Sequence, residues 1–181
     1  MKTLRTERLV LRPLRDEDRA ALAALLGDPG RAQYLFSGTA MPPQKAEEFI
    51  DRHFTGEDSP NGLGVLVAAG LIRFAGLIPT RCLGQDDCEF GFALRKEAEG
   101  HDYATEIGFH QMRYAFAVLG LPRVLALAHP DNEPSVHILE AKLQMRRVAS
   151  LEATTERGQR IVFCRQKQDG LPRVHGKGWT P

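Results

Sequence analysis

The order of periodic segments predicts a single α/β domain, a mixed sheet with helices on both faces. Three observations carry that expectation. Short alternating or apolar stretches recur at both ends of the chain, as strands require. Residues 103–119 carry the clearest helical stripe, with Ala104, Gly108, Met112, Ala115 and Leu119 three or four apart and Ile107 and Phe116 beside them. That helix joins two strand-like segments, 88–94 and 123–129, and the second is almost continuously apolar, the signature of a central strand.

Taken in order, residues 8–14 alternate as a first strand that Pro13 marks as an edge or an end. Asp16 is expected to cap a helix reaching Leu26, with Leu22, Leu25 and Leu26 inward and Gly27-Asp28-Pro29-Gly30 as its stop. Pro42 and Pro43 open a second helix through Phe54. After a Gly/Pro-rich loop over 55–64, strands at 65–69 and 71–79 form a hairpin turning at Ala69-Gly70. In the next strand, 88–94, Phe90 and Phe92 share one face while Glu89, Gly91 and Ala93 share the other. A helix over 133–143 follows the central strand, and strands at 146–153 and 159–167 close the domain as a hairpin. The expected order is βααβββαβαββ, with a right-handed parallel crossover around residues 88–129. Residues 1–168 form the domain, and 169–181, which hold Trp179, read as a tail.

A chain of 181 residues with 43% hydrophobic side chains suffices for one core. Its 24 basic and 23 acidic side chains nearly cancel, which argues against a nucleic-acid partner. No apolar stretch spans a bilayer and the start lacks the apolar core of a secretory signal, so a cytoplasmic protein with no membrane association is expected. Cys82, Cys88 and Cys164 form no C-x-x-C pair, and no metal site is expected.

One junction stands out chemically. The strand ending at Leu94 runs through Arg95 to Asp102 into the strong helix. The first-turn N–H groups of that helix have no partner within it, and its dipole draws anions to that end. Gly100 lets backbone approach a ligand closely. Such a strand–loop–helix junction suits a phosphate, although every α/β protein has junctions of this kind.

Neighbouring segments sharpen the expectation. Tyr103-Ala104-Thr105-Glu106 opens the helix, Tyr114-Ala115-Phe116-Ala117-Val118-Leu119-Gly120-Leu121-Pro122-Arg123-Val124 closes it, and Asn132-Glu133-Pro134-Ser135-Val136-His137-Ile138-Leu139-Glu140 follows. Together with Thr6-Glu7-Arg8-Leu9 near the start, these resemble the GNAT superfamily of N-acetyltransferases. The branch most resembled contains the ribosomal-protein N-terminal acetyltransferases, which read W-G-x-G-Y-A-T-E-A, then Y-A-F-x-x-L-G-L-x-R-V, then N-x-x-S-x-x-V-L-E-K-L-G-F. The resemblance spans residues 3–165.

It implies a mostly antiparallel sheet with a central, splayed parallel pair, and acetyl-CoA as co-substrate. By this resemblance the pyrophosphate rests on Gly100, Tyr103, Ala104 and Thr105, the pantetheine arm runs along Phe92, Ala93 and Leu94, and Asn132 and Ser135 touch the cofactor beyond the second strand. Ser135 is also placed to cap the helix that it precedes. The implied activity is direct acetyl transfer to a primary amine, on a peptide α-amino group or a small molecule, by a monomer or homodimer. Transfer needs a general base. Glu89 is the first candidate, on the strand bordering the cofactor, and His129, ending the other central strand, is the second. Cys88 reads as a core residue rather than a nucleophile.

The chain departs from the pattern at several points. Asp102 stands where the family has its second glycine, and is expected to act as a helix N-cap. Glu99 replaces the branch's tryptophan. Lys142-Leu143-Gln144-Met145 replaces K-L-G-F, with Ala141 inserted before it, and Leu139 occupies the place of the tyrosine acid found in many relatives. Two acids beside a polyanion oppose its binding. They motivate an alternative: a GNAT-fold binding module with weakened or lost acetyl-CoA binding. A nucleotide in the same cradle ranks last, since no Walker-type lysine pattern is present.

Overall fold

The computed structural model describes residues 3–32, 34, 38–55, 63–68, 71–93, 101–152 and 158–172, with backbone alone at 31, 68 and 71–73. Eight strands form one sheet: β1 (Leu4–Arg5), β2 (Leu9–Arg12), β3 (Leu63–Ala68), β4 (Leu71–Thr80), β5 (Asp87–Ala93), β6 (Arg123–Ala128), β7 (Arg146–Leu151) and β8 (Arg160–Gln166). Their spatial order is β1-β2-β3-β4-β5-β6-β8-β7. Every neighbouring pair is antiparallel except β5 and β6. The mixed sheet with a central parallel pair is therefore the one expected.

Helices cover both faces. On one face α4 (Tyr103–Ala117) and α5 (Glu133–His137) lie against Leu77, Phe90, Val124, Ala126 and Phe163. Burial against the sheet is close: a Cβ built on Gly108 would sit 2.6 Å from Leu143 Cδ1 and 3.4 Å from Phe90 Cε2. On the other face α1 (Arg19–Leu26) and α3 (Pro43–Ile50) bury Leu22, Leu25, Ala46 and Ile50 against Val65, Phe74 and Ala93. Alternation along β5 assigns its side chains as expected, with Phe90 and Phe92 toward α4 and Glu89 and Ala93 toward α1 and α3.

Several elements differ from the reading of the sequence, each for a local reason. A two-residue strand, β1, precedes β2; so short a piece has no periodicity to reveal it. Asp16 does not cap the first helix. It begins a 3₁₀ turn over Asp16–Asp18, and the buried Asp18 carboxylate accepts the Arg15 N–H at 2.9 Å and a forked pair from Arg12 at 2.6 and 2.9 Å. Pro29 and Gly30, expected as a stop, begin a short helix α2 (Pro29–Ala32), because proline fits a first helical turn.

The second helix keeps α geometry only to Ile50 and widens to a π turn over Asp51–Thr55. Likewise α5 passes into a π turn over Ile138–Lys142, closed by Leu143 N–H donating to Ile138 C=O at 2.8 Å. That wide turn absorbs the extra residue Ala141 while keeping Leu139 and Leu143 in the core. The end of the described chain is held down: buried Arg165 donates to the carbonyls of Gln144, Asp169 and Gly170 at 2.7, 3.1 and 2.8 Å, and Leu171 packs against the core. The 69–70 turn, most of the 55–64 loop and Trp179 lie outside the described residues.

Candidate active site at the β5–β6 splay

The parallel pair is tied at one end and open at the other. At the tied end Arg123, which opens β6, makes a forked pair with Asp87, which opens β5, both bonds 2.6 Å. Two residues on, Glu89 bridges Leu125, and this is the pair's one ladder position. Beyond it β5 continues to Ala93 in full register with β4, while β6 continues to Ala128 in full register with β8. Past that bridge no further ladder joins the two strands, and alternate main-chain N–H and C=O groups of 90–93 and of 126–128, those not spent on β4 or β8, are turned toward a wedge. Groups of that kind need partners when covered.

Both catalytic candidates lie on the α1–α3 side of the sheet. Glu89 is 5% exposed, at the base of the wedge. His129 follows the last residue of β6; its Nδ1 accepts the Asp131 N–H at 3.2 Å, the Asp131 carboxylate lies 3.8 Å away, and the Tyr34 ring is centred 5.7 Å from it. Four strand positions separate Leu125, the partner of Glu89, from His129, about 13 Å along the strand. The fold therefore places the two candidates at opposite depths of the wedge. Beside Glu89, burial, reinforced by the Glu89 and Asp87 charges, pushes the Cys88 thiol up to about 11, away from the thiolate form.

The described residues expected to hold a cofactor lie on β5, at the start of α4 and at the start of α5. Phe92 is half-buried against α4, and Ala93 is buried on the opposite face. Tyr103, Ala104 and Thr105 form the first turn of α4, ahead of its first intrahelical bond, from the Glu106 N–H to the Asp102 C=O at 3.0 Å. Thr105 is 3% exposed, and its Oγ1 is buried with no hydrogen-bond partner. The Tyr103 ring stacks on His101, centroids 5.4 Å apart, with the Arg8 guanidinium 5.0 Å above it. Leu94, Glu99 and Gly100 lie outside the described residues.

Two capping expectations are corrected. Asp102 occupies the N-cap position of α4, but its side chain makes no capping bond, because the backbone there is left-handed (φ 55°) and the exposed carboxylate turns outward. At α5 the cap is Asn132, whose Oδ1 accepts the Ser135 N–H at 3.3 Å; Ser135 is the capped residue, already inside the helix.

Sequence reasoning missed two features. One is the Asp87–Arg123 clasp; opposite charges at the starts of two neighbouring parallel strands were its signal. The other is Glu106, 1% exposed, which accepts from the Thr6 hydroxyl, the Arg8 N–H at 3.1 Å and the Arg8 guanidinium at 2.7 Å. It fastens the Thr6–Leu9 motif to the first turn of α4.

Sequence comparison names the family to which this mixed sheet with one parallel pair belongs. The profile of the acetyltransferase (GNAT) domain matches residues 8–145, and the chain belongs to that family. An uncharacterized N-acetyltransferase of Bacillus licheniformis is 27% identical over 145 residues, covering 78% of this chain and 81% of its own. An acetyltransferase structure from Agrobacterium tumefaciens superposes with a TM-score of 0.74 at 22% identity, covering 92% of this chain and 95% of the other. Spermidine N-acetyltransferase from Vibrio cholerae, solved with CoA and spermine, gives 0.71 at 19% identity, covering 90% and 98%. Among the described residues no helix is long and apolar enough to cross a membrane.

Proposed function

We propose that the protein is an acetyl-CoA-dependent N-acetyltransferase that acts on a primary amine by direct transfer. The observation that carries this reading is the single Glu89–Leu125 bridge, after which the two strand edges part. An amide-bearing arm can pair with such edges as a further strand would. On this reading Phe92, Ala93 and Leu94 hold the arm, and the N–H groups of Tyr103, Ala104 and Thr105, with Gly100, hold the pyrophosphate. The buried, unpartnered Thr105 hydroxyl fits a polar ligand at that helix end. Asn132 keeps its amide N–H groups for the cofactor while its Oδ1 caps α5, and Ser135 lies one turn further in.

Acetyl-CoA supplies the activated acyl group: a C–N bond to the acceptor forms, the C–S bond breaks, and the proton lost by the amine is matched by one gained by the thiol. Glu89 takes the amine proton, directly or through one water. Main-chain N–H groups on the open β5 edge face the acyl oxygen and stabilise its growing charge. His129, with Nδ1 accepting from Asp131 N–H, presents Nε2 as a second proton carrier. The resemblance to the ribosomal-protein branch supports a peptide α-amine as the acceptor.

Thiol release from acetyl-CoA across a panel of amines tests the reading. Glu89→Gln is expected to lower kcat roughly 100-fold at neutral pH with little change in the KM for acetyl-CoA. An unchanged rate removes Glu89 as the base.

Asp102 supports a second reading. Its exposed carboxylate stands at the α4 N-terminus, where it opposes a polyanion, and a GNAT-fold binding module with weak acetyl-CoA affinity would follow.

A further inference from the structure

A cleft of about 260 Å³ opens on the α1–α3 side of the sheet, lined by Lys45, Glu48, Phe49, Arg52 and His53 together with residues 39–42. Its wall reaches the sheet beside the wedge. The Phe49 ring is centred 6.4 Å from Phe74, and Phe74 sits directly across from Ala93 at the end of β5. On the other strand of the pair, Tyr34 lies against His129, which follows the end of β6.

Charge along α3 and its π turn is sorted. Glu47 and Asp51 turn away to Arg19 on α1, at 3.0 and 2.7 Å. Glu48 faces the cleft with the Gln44 amide on it at 3.2 Å. Lys45 and Arg52 also line the cleft, and among the described residues neither has a carboxylate partner. The lining thus carries two cations against one acid, over an aromatic floor where His53 and Phe49 meet at 4.4 Å.

We propose that this cleft is the acceptor subsite of the transfer described above, and that it selects an amine whose carrier also bears a carboxylate, an amino acid or short acidic peptide, over a polyamine. The inference rests on the transferase reading and adds the acceptor class. A carboxylate gives Lys45 and Arg52 the partner that they lack among the described residues, whereas a polyamine sets like charges against them. The α4 and α5 N-termini lie over the other face, so the two reactants meet through the wedge from opposite sides of the sheet. The cleft is smaller than the roughly 300 Å³ at which pockets for whole small ligands begin. It therefore holds one end of the acceptor and leaves the amine free to reach the wedge.

The test compares C-terminally amidated Ala-Glu and Ala-Gln dipeptides and spermidine, with wild type and the Lys45→Glu/Arg52→Glu variant. Thiol release gives kcat and KM, and NMR shifts of the Lys45 and Arg52 amides follow binding without acetyl-CoA. Ala-Glu is expected to exceed Ala-Gln and spermidine in kcat/KM by about tenfold, the yield of two exposed ion pairs. The charge reversal is expected to abolish that preference through the acceptor KM, with the KM for acetyl-CoA unchanged. Equal rates for the two dipeptides, a preference for spermidine, or an acceptor KM indifferent to the reversal overturns the proposal. If no amine releases thiol, the transferase reading fails and the NMR titration still decides the cleft. Saturable shifts with Ala-Glu but not Ala-Gln support it, and identical responses overturn it.

Discussion

Asp102 and Gln144 hold left-handed backbone, at φ 55° and 52°, and they are the two non-glycine residues among those described that do so. Both stand where the family pattern has glycine. A side chain in that region costs about 1 kcal/mol at each position. Asp102 adds a carboxylate at the end of α4 that favours anions. Asp102→Gly is therefore expected to raise stability by about 1 kcal/mol in urea denaturation and to tighten acetyl-CoA binding roughly threefold in calorimetry; weaker binding would mean that the carboxylate assists the ligand.

Asp18 gives a prediction in pH. Its hydrogen bonds from the Arg12 guanidinium hold its carboxyl below the ordinary 3.8. A group depressed in the folded state stabilises above its unfolded value and loses that contribution as pH falls through the folded one. The stability of the wild type is expected to exceed that of Asp18→Asn above about pH 4 and to converge on it in stronger acid. Parallel pH curves would contradict the pairing. Asp18 and Glu106 were illegible as buried residues, because helical periodicity counts apolar positions and gives no sign that a polar side chain has found partners inside.

Among the elements, β5, α4 and β6 were readable because each has a strong local pattern, and they carry the site. The splay itself was implied only by resemblance, since one ladder bridge followed by divergence leaves no periodic trace. The insertion of β8 between β6 and β7 was equally hidden: strand order is decided by distant packing. The π turn at Ile138–Lys142 had a signal in the inserted Ala141, but its shape depends on keeping Leu143 under α4. The Asp87–Arg123 clasp fixes where the parallel pair is tied, with both partners mostly shielded from water, at 5% and 26% side-chain exposure. Alanine at either position is expected to cost about 2 kcal/mol, and the double variant well short of the sum. A double-mutant cycle in urea measures this, and strict additivity would show that the two ends are held apart from one another.

At the scale of the whole molecule, the sheet is a partition. Helices α4 and α5 lie over one face, α1 and α3 with their charged cleft over the other, and the β5–β6 pair lies between them. The fold was legible because seven strands and the principal helices announce themselves locally. The charged cleft was not, because it draws on the 39–42 segment and α3, which carry no motif. The central claim is that the wedge and the α4 N-terminus hold acetyl-CoA, and isothermal calorimetry of the full chain with acetyl-CoA tests it most directly. One molecule bound per chain in the micromolar range is the expected result; no heat up to millimolar acetyl-CoA would contradict it.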